Sequence, residues 1–106
     1  MRDESVIRAV IFYEGDRWVA QCLDVDIAAQ AKDQRDLGYE LGRMLVGRIM
    51  ASEKLGTEPF EGLPPAPKRY WDLFFAATSQ TTTLVPFVPA DELHHTLPSI
   101  ELKAAA

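Results

Sequence analysis

The sequence predicts an α+β fold, and three observations predict it. Three short strand-like runs crowd into Val6–Tyr13, Arg17–Leu23 and Ile27–Ala31. A long helical pattern follows from Asp33 to Leu55, and a short aromatic-rich one runs from about Pro67 to Ala77. The expected architecture is a small three- to four-stranded, mainly antiparallel sheet. One long helix lies across it in a βββα core, and a second, aromatic-rich helix follows.

Each element has its own signal. Val6–Tyr13 is apolar at nearly every position, as expected of a central strand covered on both faces. Glu14-Gly15-Asp16 is a turn, with Gly15 free to take positive φ. Arg17–Leu23 returns antiparallel, Asp24-Val25-Asp26 bends the chain, and Ile27–Ala31 is the third strand. Its alanines are weak strand formers, explained by a helix approaching closely across the sheet.

The long helix opens at Asp33, with Asp36 three residues on in the manner of a capping box. Leu37, Leu41, Met44, Leu45 and Ile49 form one apolar stripe. Gly38, Gly42 and Gly47 each cost about 1 kcal/mol relative to Ala, which predicts tight packing around them. Gly56 signals the C-cap.

Pro59, Pro64, Pro65 and Pro67 mark an extended, fixed connector. In the second helix Tyr70, Trp71, Phe74 and Phe75 bunch on one side. They are expected to pack against the first helix and, in part, to form an oligomer or partner surface. Ser79–Thr83 reads as a polar linker. Leu84–Pro89 is strand-like, but its prolines confine it to an edge or to coil. Pro89–His95 suggests a helical turn and Ile100–Lys103 a last strand, with the closing alanines frayed. Residues 1–57 form the βββα core, 58–78 the connector and second helix, and 79–106 a C-terminal extension, all parts of a single domain.

With 106 residues, 47% of them hydrophobic, the chain is long enough to bury a core without disulfides or a structural metal. The lone Cys22 rules out an intramolecular disulfide. No apolar run approaches a membrane span, and Met1–Ser5 lacks a signal peptide's apolar core. A cytoplasmic location is the expectation. The net charge of −5 and the scattered basic residues argue against a phosphate-binding surface. Arg35, Arg43, Arg48 and Lys54 alternate with Asp36, Glu40 and Glu53 along the helix, as on a solvated face. An acidic chain does suit a basic partner.

Catalytic constellations are sparse. A metal-dependent nuclease needs converging carboxylates, but Val6–Tyr13 carries only Arg8 as a charge. Asp24 and Asp26 read as turn formers. His94 and His95 diverge on either a helix or a strand, and no Cys–His spacing fits zinc. Cys22 reads as a buried small hydrophobe. Phosphate-cradling glycine spacing is missing. No catalytic residue, cofactor or metal is therefore assigned, and no enzymatic activity is expected.

Trp18-Val19-Ala20, Leu23-Asp24 and Gln30-Ala31, set between Ile11-Phe12-Tyr13 and a helix, resemble the HicB antitoxin family. The resemblance covers about half the chain. It implies a partial RNase H-like fold of three antiparallel strands, a helix and a short further strand. It also implies steric neutralisation of a small basic HicA-like toxin, an mRNA interferase. Two features depart from the family. Asp24-Val25-Asp26 stands where a proline–glycine–cysteine turn is common. After the helix, Pro86, Pro89 and Pro98 leave no room for the DNA-binding segment that many members carry, so direct DNA binding is not expected.

The functional expectation is a non-catalytic protein-binding module resembling a HicB-type antitoxin, assembled as a homodimer or higher homo-oligomer. Its alternatives are a stand-alone self-associating or small-ligand-binding domain, and a divergent metal-dependent hydrolase.

Overall fold

The computed structural model describes residues 6–78, 82–84 and 99–105. Strands β1 (Val6–Glu14) and β2 (Arg17–Cys22) form an antiparallel hairpin. Gly15 and Asp16 at its tip have φ of 60° and 67°. Two positive values in a two-residue loop make the turn whose twist matches the strands it joins. Strand β3 (Ala28–Ala31) pairs antiparallel with β2. Helix α1 (Gln34–Leu55) and helix α2 (Lys68–Ala76) follow, then strands β4 (Thr82–Leu84) and β5 (Ser99–Ala104).

The sheet runs β3-β2-β1-β5-β4. Three of its pairings are antiparallel; the exception is β5, which lies parallel to β1. The α+β architecture with one long helix is as the sequence predicts, and the three-residue β4 completes the sheet at one edge. β1 is central, and its alternating side chains serve two layers. Ile7, Ala9 and Ile11 meet Leu37, Leu41 and Leu45 of α1 on one face, together with Ile100 and Leu102 of β5. Val10 and Phe12 meet Phe74, Tyr70 and Trp71 of α2 on the other. Ala29 and Ala31 are buried beneath α1, as expected of small residues under a close helix, whereas Ala28 is exposed.

The sheet therefore lies between the two helices. Tyr70, Trp71 and Phe74 pack on the sheet and not, as the sequence suggested, against α1. The connector explains the difference. Phe60 and Leu63 pack on the α1 side, while Ala66 is buried on the α2 side. Between them the chain rounds the end of the sheet, held where Pro64 O accepts from Asp26 N at 2.8 Å and Leu23 O from Ala66 N at 2.9 Å.

Several local expectations change. Asp33 occupies the N-cap position of α1 in extended backbone but makes no side-chain cap hydrogen bond. Its backbone carbonyl accepts from Asp36 N at 3.1 Å instead. The Asp36 side chain is one methylene shorter than the Glu or Gln a capping box uses. Gly47 is exposed, and an added Cβ would meet nothing within 4 Å, so tight packing does not explain it. Gly42 is buried. Thr82 and Thr83 belong to β4, not to a linker. The closing alanines are not frayed as far as Ala105: Ala104 pairs with Ile11, and Ala105 N donates to Ile11 O at 2.8 Å. The helical turn expected at Pro89–His95, and the pair His94 and His95, lie outside the described residues. No helix among the described residues is long and apolar enough to cross a membrane.

Candidate partner-binding surface

Helix α2 begins after Pro67, whose fixed φ and missing N–H suit a helix start. Lys68 and Asp72 pair across one turn at 3.0 Å on its solvent side. The four aromatics expected to form a surface divide by spacing. Tyr70 and Phe74, one turn apart, both face the sheet. Phe74 is 5% exposed, with the Lys103 ammonium 4.9 Å from its ring centroid. Tyr70 is half-buried and stacks on Phe12 with centroids 5.8 Å apart. Trp71 is half-buried and donates its indole N–H to Ala66 O at 3.2 Å. Phe75 is 64% exposed and stacks on Trp71 at 6.1 Å. Of the four, Phe75 is the one that presents its ring to solvent, and Phe74 is a core residue.

Two exposed apolar residues extend the surface beyond what the sequence suggested: Leu73 on α2 and Tyr13 on β1. Tyr13 pairs with Trp18 across the hairpin, ring edge to face at 5.3 Å. Between the hairpin and α2 lies an open groove of about 610 Å³, lined by Phe12, Tyr13, Trp18, Arg69, Tyr70 and Leu73 among others. Hairpin register could have placed Tyr13 beside Trp18 from sequence alone. The approach of α2 to them could not be read, because it depends on which face the connector delivers the helix to.

The polar groups nearby are engaged. Arg8 grips Asp24 twice: its backbone N–H and its Nη2 each donate to one carboxylate oxygen at 2.8 Å. Its guanidinium also lies 4.6 Å from the Trp71 ring centroid. Burial works against ionisation of Asp24, but the hydrogen bonds and charge of Arg8 outweigh it and hold the carboxyl below its usual range. Asp26 accepts from the amide of buried Gln21 at 2.8 Å. The Cys22 thiol is fully buried and pushed up to about 12, by burial first and the charge of Asp24 second. It is protonated at neutral pH and shielded from reagents. No group of three or more metal-ligating side chains occurs among the described residues.

This arrangement suits recognition. An aromatic base anchored on the sheet carries Leu73 and Tyr13 beside a groove whose wall also holds Arg69 and Glu14, while Phe75 stands exposed with Trp71 on the other flank of α2. Exposed aromatic and apolar side chains on a fixed scaffold are the usual anchors of protein interfaces. No family model, curated protein or solved structure matches the chain.

Proposed function

We propose that the chain is a non-catalytic protein-binding module, resembling a HicB-type antitoxin, that self-associates and sterically blocks a small basic mRNA-interferase toxin of the HicA kind. The observation that carries the reading is the outer side of α2, which exposes Leu73 on the groove flank and Phe75 on the Trp71 flank while its other aromatics pack on the sheet. The net charge of −5 suits a basic partner and would speed its capture. The order of three antiparallel strands and a helix across them supports the resemblance. The non-catalytic reading is supported by what the likeliest chemical groups do here. Asp24 holds Arg8, Asp26 holds Gln21, and Cys22 is buried as a thiol.

The test is affinity capture from the source cell at low salt, followed by reconstitution. The reading expects a small basic protein at fixed ratio, whose ribonuclease activity falls on adding the purified chain. Leu73→Asp together with Phe75→Asp should abolish both effects while leaving the fold intact. Recovery of the chain alone would favour the second reading, a self-associating or small-ligand-binding domain that uses the aromatic groove. Mg²⁺- or Mn²⁺-dependent RNA cleavage by the chain itself, lost in Asp24→Asn with Asp26→Asn, would overturn both in favour of a hydrolase.

A further inference from the structure

Among the described residues strand β3 is the last strand on its side of the sheet, so half of its backbone polar groups have no neighbouring strand there. The ladder shows which half. Cys22 N donates to Ile27 O at 2.8 Å, and Ala20 and Trp18 stand opposite Ala29 and Ala31. The Ile27 C=O and the N–H and C=O groups of Ala29 and Ala31 therefore aim at β2, the Ile27 N–H turns back to Val25 O at 2.8 Å, and Ala28 and Gln30 aim their groups outward. Both are exposed. The strand contains no proline and no charge, the devices that usually protect an open edge.

The chain around this edge is complementary to itself. Consider a second copy paired antiparallel about a two-fold axis through Ala29. Ala28 then faces Gln30 of the second copy, both with outward backbone groups, as a hydrogen-bonded pair requires. Just beyond the two strand ends the same register brings exposed Asp26 near exposed Lys32 of the second copy, and symmetry repeats both pairings. Ala28 and Gln30 lie on one face of the strand, and Asp26 and Lys32 flank it, two residues before its start and one after its end. Shifting the register by two residues either way takes Asp26 away from Lys32. Asp26 uses Oδ1 for Gln21 and its N–H for Pro64 O, which leaves Oδ2 for the incoming cation. Beside the edge, Ile27 and Ala28 share an open groove of about 430 Å³ with Met44, Gly47 and Ala51 of α1. Met44 is 43% exposed there, so apolar surface flanks the free backbone.

We infer that β3 is a self-pairing edge: two copies join antiparallel through Ala28 and Gln30, with Asp26 of each against Lys32 of the other, and their sheets become one. The inference rests on the self-associating part of the function proposed above and names its interface.

The experiment measures the mass of the full chain in solution by light scattering across a concentration series. The wild type is expected as a dimer. Lys32→Glu places like charges opposite each other twice and should weaken dimerisation about tenfold at low salt. High salt should relieve that loss, and adding Asp26→Lys should restore the dimer. Gln30→Pro removes an outward N–H without touching the β2 ladder, and should give a folded monomer with an unchanged circular dichroism spectrum. Register is read by oxidation: Ala28→Cys mixed with Gln30→Cys should cross-link between the two variants, while neither cross-links with itself. Buried Cys22 stays silent in that assay. A monomeric wild type overturns both the interface and the self-association. A dimer untouched by Gln30→Pro and Lys32→Glu overturns the interface and leaves self-association standing. Cross-linking of Ala28→Cys with itself overturns the register.

Discussion

Arg8 sits where three parts of the chain meet. It belongs to β1, it holds Asp24 in the bend after β2, and Trp71 of α2 covers its guanidinium. The only charge between Val6 and Tyr13 is thus satisfied by an ion pair and an aromatic face, and it ties the second layer to the sheet. The two side chains are 37% and 32% exposed, so solvent screens part of the attraction. Asp24→Ala also deprives the Arg8 backbone N–H of its acceptor, and should cost about 1–2 kcal/mol at neutral pH. The pH dependence has a definite sign. The folded-state pKa of Asp24 lies below its unfolded value, so the unfolded chain binds more protons in the interval between them. The contribution is complete above the unfolded value of about 4 and fades as pH falls through the folded one. Urea unfolding of wild type and Asp24→Ala should therefore show a gap at pH 7 that narrows at acid pH. A gap that holds constant with pH would mean that the ion pair contributes nothing.

At the scale of elements, α1 shows what a pattern can reveal and what it cannot. Its apolar stripe was legible, and Leu37, Leu41, Leu45 and Ile49 are all buried. Met44, read as part of the stripe, is exposed, because it lies toward the β3 edge where, among the described residues, no further strand covers it. Gly56 was legible as a cap. It adopts φ 72°, its N–H meets Glu53 O, and Thr57 N reaches Ser52 O at 3.0 Å, closing the last turn. Gly47 was misread, since composition cannot separate a glycine that admits a neighbour from one facing open space. The two glycines should respond oppositely to one substitution. Gly47→Ala should stabilise the chain by about 1 kcal/mol, the ordinary helix preference with no clash to offset it. Gly56→Ala should destabilise by about 1–2 kcal/mol, because a Cβ is strained in the left-handed region. Denaturation at low protein concentration, where subunit association adds nothing, measures both. Destabilisation by Gly47→Ala would show that another surface closes on that face.

At the scale of the molecule, strand existence was mostly legible and strand order was not. Hairpin turns announce β1, β2 and β3, whose partners are adjacent in sequence. Ile100–Lys103 announced a strand by alternation, but nothing local says that it lies parallel to β1 near the middle of the sheet. Likewise the aromatics of α2 declared a packed helix, while the face they pack on depends on how the connector rounds the sheet. Both gaps are long-range. They are settled by which apolar surface remains uncovered once the hairpins and α1 have formed. The placement of β5 makes a residue near the end of the chain as important as any in the core. Ile100 is fully buried beside Ile7, among Leu37, Leu41 and Leu45. Here the segment closes the α1 face of the central strand, so Ile100→Ala should leave a cavity and cost about 2–4 kcal/mol. Glu101→Ala, one residue on and turned to the opposite, half-exposed side, should cost much less. Thermal and urea unfolding of the two variants decides the matter. Comparable small losses would mean that β5 is a detachable strand and that β1 to α2 hold together without it.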